Sequence, residues 1–117
     1  KLNMNEEEII AEVETNYPET TKEFKRIMNH QYLLFCRKQS NYGPGNISLG
    51  TDLSKDEDKH ASQMGLYFRM NDKINRLKQM VLHSKIDTVG ESLDDTYQDL
   101  SVYGIIAQLV KSGIWGK

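Results

Sequence analysis

Three acids, Glu91, Asp95 and Asp99, recur at every fourth position of the segment 91–100. Arg69, Asp72, Lys73 and Arg76 recur at three- and four-residue steps a little earlier in the chain. Either spacing gathers side chains on one side of a helix, with Cβ atoms roughly 5–6 Å apart across one turn. Two carboxylates at that separation suit a hard cation. Mg²⁺ takes oxygen ligands in octahedral geometry and keeps waters and substrate phosphates in its shell. Glu91, Asp95 and Asp99 could supply the protein half of such a shell and act as the catalytic acids, with Asp72 adding a carboxylate from a second helix. Arg69, Lys73, Arg76 and Lys38 could then neutralise phosphate oxygens, while the metal polarises a phosphoryl group and activates a water. The plainer reading of the same pattern is a salt-bridge network between two helices, and spacing alone leaves both open.

The line of the acids, continued one turn at a time, runs into Val102, Ile106 and Leu109. A solvated charge face stays polar, so these carboxylates are expected to point into a bundle or cleft, where a cation must accompany them. The segment Asn41-Tyr42-Gly43-Pro44-Gly45-Asn46 has the composition of a loop. Its glycines permit close backbone approach, its N–H groups could hold phosphate, and Tyr42 could stack on a base; a rigid turn between helices is the competing reading. Gln31 and Lys38 sit in and beyond an apolar stripe, as hydrogen-bonded core or as ligand contacts. His30, His60 and His83 share no face, and Cys36 beside an apolar stripe reads as core.

The elements that position these groups are read from periodicity. Asn5 followed by Glu6-Glu7-Glu8 is an N-cap with acids in the first turn, opening a short helix that ends at Asn16-Tyr17-Pro18. A second helix, with a buried stripe of Phe24, Ile27, Met28, Leu34 and Phe35, runs to about Gln39. A long mobile loop is expected over about 48–60. A third helix covers about 61–83, with Tyr67, Met70, Ile74, Leu77 and Val81 as its stripe. A fourth runs from about Gly90 to Lys111 with two apolar lines, one of them Leu93, Tyr97, Leu100 and Gly104. The expected fold is all-α, an antiparallel bundle of about four helices, one domain over 1–117 with its core in about 19–112.

Composition narrows the function. A net charge of −2 argues against binding duplex nucleic acid. The single cysteine cannot form an internal disulfide, which makes cytoplasm the default compartment, and no apolar run approaches the roughly 20 residues of a membrane span. No signal peptide is recognisable, and a start at Lys1 with Met4 nearby leaves the true start open. A hydrophobic fraction of 38% is low for a small bundle, so narrow stripes or a second chain must complete the core.

Three strings taken in order carry a resemblance: Lys38-Gln39-Ser40-Asn41-Tyr42-Gly43-Pro44-Gly45-Asn46-Ile47; Arg69 with Asp72-Lys73 and Arg76-Leu77; and Glu91-Ser92 with Asp95-Thr96, Asp99-Leu100 and Tyr103. From about residue 30 to 115 the chain resembles the phage-enriched nucleotide modification associated domain family. Its helical pattern is in turn similar to the MazG-like and all-α dUTPase group of pyrophosphohydrolases, which cleave nucleoside triphosphates to monophosphate and pyrophosphate using Mg²⁺ held by E-x-x-E and E-x-x-D motifs. The resemblance implies a nucleotide or phosphorylated small molecule as partner, Mg²⁺ as cofactor, a homo-oligomer, and the host cytoplasm if the chain is phage-encoded. The chain departs from that pattern in two places: Thr96, not Glu, stands three residues before Asp99, and Asp72-Lys73-Ile74-Asn75-Arg76 replaces E-x-x-E. Trading acids for bases strengthens anion binding, so a protein that holds a nucleotide or cyclic nucleotide without cutting it competes with the hydrolase. A structural bundle without a ligand is the third reading.

Overall fold

A computed structural model describes residues 3–117; Lys1 and Leu2, included in the expected domain, lie outside the described residues. Helix is the regular structure of the described chain, as the periodicity predicts. In order come α1 (Glu6–Asn16), α2 (Pro18–Tyr42), a single turn α3 (Gly45–Ser48), α4 (Asp56–Leu77), a π-helical turn over Lys78–Leu82 and α5 (Leu93–Lys111). The chain divides into two compact units, Lys1–Cys36 and Arg37–Lys117.

In the first unit, Asn5 caps α1 as expected, its side chain accepting from the Glu8 N–H at 2.8 Å. Pro18 opens α2, where its missing N–H costs nothing. Lys25 and Glu14 pair at 2.6 Å. Neither α1 nor α2 contains a buried residue. The expected buried stripe is therefore corrected: Phe24, Ile27 and Met28 are exposed, Leu34 and Phe35 half-buried, and Cys36 is exposed. Two slender helices offer no third surface for a core, and periodicity reports only that a face is apolar, not what covers it.

The second unit holds the core, built from Ile47, Leu53, Leu66, Ile106, Val110 and Trp115. α4 and α5 pack antiparallel: Lys59 lies against Gly113 at one end, and Arg76 meets Thr96 towards the other. Three helix boundaries differ from expectation. α2 continues through Asn41 and Tyr42 until Gly43, whose φ of +65° breaks it while its N–H still reaches the Gln39 carbonyl at 2.9 Å. α4 starts at Asp56 because Asp56, Glu57 and Asp58 occupy its first turn, where acids complement the helix dipole; residues 56–60 are thus helix and not loop. α5 begins at Leu93, since Ser92 takes the N-cap and closes a capping box with Asp95. Past its end, Gly113 turns at φ +76° and Trp115 comes back to donate from Nε1 to the Pro44 carbonyl at 3.0 Å. That bond anchors the tail on the Gly43–Asn46 segment.

Candidate functional site

The capping box alters the acid stripe. Glu91 precedes α5, so Glu91, Asp95 and Asp99 do not form one helical line. Asp95 is exposed, and its carboxylate accepts from the Ser92 N–H at 3.3 Å while its own N–H donates to Ser92 Oγ at 3.0 Å. Asp72 is exposed as well and takes no part in the ion pairs around Lys73. Glu91 and Asp99 nevertheless converge, and the group between them is Lys73.

Lys73 Nζ lies 2.7 Å from Glu91 Oε1 and 3.0 Å from Asp99 Oδ2. Its side chain is 21% exposed, and those of the two acids 29% and 20%. Hydrogen bonding to Glu91 raises the Lys73 pKa; partial burial pulls the other way, and Asp99 adds to the rise. Lys38, on the last turns of α2, reaches Asp99 Oδ1 at 3.7 Å from the solvent side.

One turn along α4, Arg76 is 17% exposed and gathers the segment that leads into α5. Its Nε donates to Thr96 Oγ1 at 2.9 Å and lies 3.6 Å from Glu91 Oε2. Its Nη2 donates to Asp87 Oδ1 at 3.2 Å and to the Glu91 backbone carbonyl. Asp87 also accepts from the Val89 N–H at 3.2 Å. That backbone bond is the main cause holding the Asp87 carboxyl below its ordinary range; desolvation opposes it, and Arg76 adds to the lowering. Thr96 is fully buried.

Arg69, one turn before Lys73, bonds to a carbonyl and not to a carboxylate: Nη2 donates to the Asn46 oxygen at 3.0 Å. This joins the basic row of α4 to the Gly43–Asn46 segment. That segment is less open than its composition suggests. Gly45 and Asn46 belong to α3, and the Pro44 carbonyl accepts from the N–H groups of Ile47 and Ser48, both at 3.1 Å, as well as from Trp115. Asn41 and Tyr42 are exposed at the end of α2.

The structure thus brings together Lys38, Lys73, Arg76, Glu91 and Asp99, and attaches Arg69 and Asn46 at one end. It leaves Asp72 and Asp95 outside. Two participants escaped the sequence reading. Asp87 stood in an unassigned connection, although Asp-Thr-Val-Gly is a turn signal whose Asp side chain bonds two residues on. Thr96 carries no signal in the sequence beyond the absence of an acid three residues before Asp99.

A four-carboxylate Mg²⁺ shell does not fit this arrangement, and among the described residues no group of three or more His, Cys, Asp or Glu is placed to hold a metal ion. What the geometry defines is a basic row on α4, with its charge balanced by acids from α5 and from the segment before it. Comparison with family models, with curated proteins and with solved structures gives no match for this chain.

Proposed function

We propose that the chain is a nucleotide-handling protein that holds the phosphates of a nucleotide on Lys38, Arg69, Lys73 and Arg76 without cutting it. The observation that carries this reading is the row Arg69–Lys73–Arg76, extended by Lys38 and backed, among the described residues, by the carboxylates of Asp87, Glu91 and Asp99. Those carboxylates pair with Lys38, Lys73 and Arg76, while Arg69 bonds to a backbone carbonyl, in a chain whose net charge is −2. Among the described residues Arg69 bonds to a carbonyl and to no carboxylate, and Lys38 is half exposed on a long contact, so both can take phosphate oxygens at little cost. Lys73 and Arg76 exchange carboxylate oxygens for phosphate oxygens of similar hydrogen-bonding geometry. Tyr42 and Asn41, exposed beside Gly43, are the candidates to meet the base.

Magnesium-dependent hydrolysis of a nucleoside triphosphate to monophosphate and pyrophosphate is the second reading. It is favoured by the convergence of Glu91 Oε1 and Asp99 Oδ2 on a single cation, both within 3.0 Å of Lys73 Nζ. A homo-oligomer in the cytoplasm, that of a host if the chain is phage-encoded, belongs to either reading. Among the described residues no helix is long and apolar enough to cross a membrane.

The test is incubation of the purified protein with canonical, modified and cyclic nucleotides, in Mg²⁺ or in EDTA, with bound and free species resolved by mass. Intact nucleotide co-eluting in EDTA supports capture. Appearance of monophosphate and pyrophosphate only with Mg²⁺ overturns it in favour of hydrolysis, and no binding at all leaves the ion pairs a purely structural network.

A further inference from the structure

Where α4 gives way to its π turn, a second surface adjoins the basic row. Ile74, Leu77, Lys78, Val81, Leu82 and Tyr97 line an open groove of about 390 Å³. The chain leaves α geometry here for the π turn over Lys78–Leu82, a rare turn that recurs at functional sites. Beyond it Ser84 takes φ +50°, a left-handed conformation uncommon for a residue with a side chain. Leu82, Ile86 and Val89, at 74%, 87% and 75%, are the most exposed large apolar side chains among the described residues. Such a concentration in one short segment marks a contact surface, unlike apolar residues scattered singly.

We infer that this groove receives an amphipathic helix with acidic flanks, contributed by a different protein. The inference goes beyond the nucleotide reading and does not rest on it. The charges set the sign of the partner. Between Asp72 and Asp87 the chain carries Lys73, Arg76, Lys78 and Lys85 and no acid. Lys73 and Arg76 are matched by Asp87, Glu91 and Asp99, whereas Lys78 and Lys85 are exposed and in no ion pair among the described residues. Lys78 is, among the described residues, the one charged side chain lining the groove; Asp94 and Asp95 at the start of α5 do not line it.

Shape and length select a helix over a flat partner. The lining runs along the chain from Ile74 to Leu82, roughly 12 Å at a rise of about 1.5 Å per residue. An apolar row at i, i+4 and i+7 of a partner helix spans roughly 10.5 Å. Two turns of such a helix therefore lie along the groove, the mode in which an amphipathic helix sets its apolar face into an apolar cleft. Its apolar row meets Ile74, Val81, Leu82 and Tyr97, and acids beside the row meet Lys78. A lipid bilayer is flat and would leave the concave groove unfilled.

Fluorescence anisotropy of a labelled synthetic helix, titrated with the full chain, tests this. The probe carries Leu at i, i+4 and i+7 with Glu at the flanking positions, and control peptides replace Glu by Gln or by Lys. The expected order of affinity is Glu, then Gln, then Lys, with the Glu probe bound at about micromolar concentration. Amide shifts in the nuclear magnetic resonance spectrum should cluster at residues 74–82 and at Tyr97. Leu82→Glu should weaken binding on the order of a hundredfold. Lys78→Glu should weaken the Glu probe about tenfold and tighten the Lys peptide. Leu82 and Lys78 are both exposed, so far-ultraviolet circular dichroism should stay unchanged in either variant. Absence of binding, equal affinity for the three peptides, or an affinity unmoved by Leu82→Glu each overturns the inference. Binding to phosphatidylserine vesicles with none to the peptide overturns it in favour of a lipid surface. A dimer in sedimentation equilibrium that Leu82→Glu dissolves, again with no peptide bound, overturns it in favour of a second copy.

Discussion

Arg76 Nε donates to Thr96 Oγ1 at 2.9 Å, joining α4 to the first turn of α5 through a hydroxyl that is fully buried. Nη2 of the same guanidinium donates to Asp87 Oδ1 and to the Glu91 carbonyl, so one side chain ties three consecutive stretches of chain together. A carboxylate at residue 96 would have added charge where Glu91 and Asp87 already balance Arg76. The threonine satisfies Nε without it.

Thr96→Val keeps the volume and removes the acceptor. A charged donor left unsatisfied in a part-buried site costs about 1–3 kcal/mol, and chemical denaturation should show that loss as a lower midpoint with unchanged slope. Thr96→Ser, which keeps the oxygen, should recover most of it. Equal losses for the two variants would mean that packing of the methyl, and not the hydrogen bond, is what residue 96 contributes.

Lys73→Met removes the cation between Glu91 and Asp99 and leaves two acids facing each other. All three side chains are less than a third exposed, so the cost lies between that of a surface pair and a buried one, about 2 kcal/mol. The same variant should lose nucleotide binding by at least about tenfold, the weight of one charge-assisted contact. Full affinity in Lys73→Met, measured by calorimetry on the folded protein, would remove Lys73 from the site.

How far these residues were legible beforehand follows from what each signal reports. Helical periodicity placed the elements, and the Asn5 cap was read correctly because a cap is local chemistry. The acid stripe failed for an equally local reason: Ser92 with Asp95 three residues on is a capping box, which starts the helix after Glu91. The fourfold spacing of the acids says nothing about where the helix starts, and the capping box decides that. Phe24, Ile27 and Met28 failed differently, since exposure depends on the partner of a face and not on the face itself. Convergence of Glu91 and Asp99 on Lys73 joins residues 18 and 26 positions apart through tertiary packing, so spacing could propose the ion pairs but not choose which acids make them.

The pH dependence of stability should show two limbs. Lys73 has a pKa raised above its ordinary value of about 10.4. Its contribution is complete below that value and is lost as pH rises through the higher folded-state pKa. Asp87 has a pKa lowered below its ordinary value of about 3.9. Its contribution is present above that value and is lost as pH falls through the lower folded-state pKa. Thermal melts across pH should therefore show Lys73→Met losing part of the alkaline limb only, and Asp87→Asn part of the acid limb only. A Lys73→Met chain with the wild-type alkaline slope would show that another group titrates there.

Trp115→Phe and Trp115→Ala separate two roles of the buried tail. The indole is 5% exposed and donates to Pro44. Losing that bond alone, in the phenylalanine variant, should cost about 1 kcal/mol because the Pro44 carbonyl keeps its two backbone donors. Emptying the site, in the alanine variant, should cost about 3–5 kcal/mol. Hydrogen exchange at residues 43–48 should accelerate in both if the tail holds that segment in place, and unchanged exchange in the phenylalanine variant would assign the holding to packing.

Asp95→Asn discriminates most directly between the expected metal site and the observed cap. As part of the Ser92 capping box, Asp95 can be replaced by Asn with a loss of at most about 1 kcal/mol, comparable to Ser92→Ala. Nucleotide affinity should be unchanged, because the carboxylate bonds to the backbone of Ser92 and takes no part in the ion pairs of Lys73 and Arg76. Binding that collapses in Asp95→Asn while the melting curve barely moves would put this carboxylate at the ligand, and the capping geometry would then describe only a resting arrangement of α5.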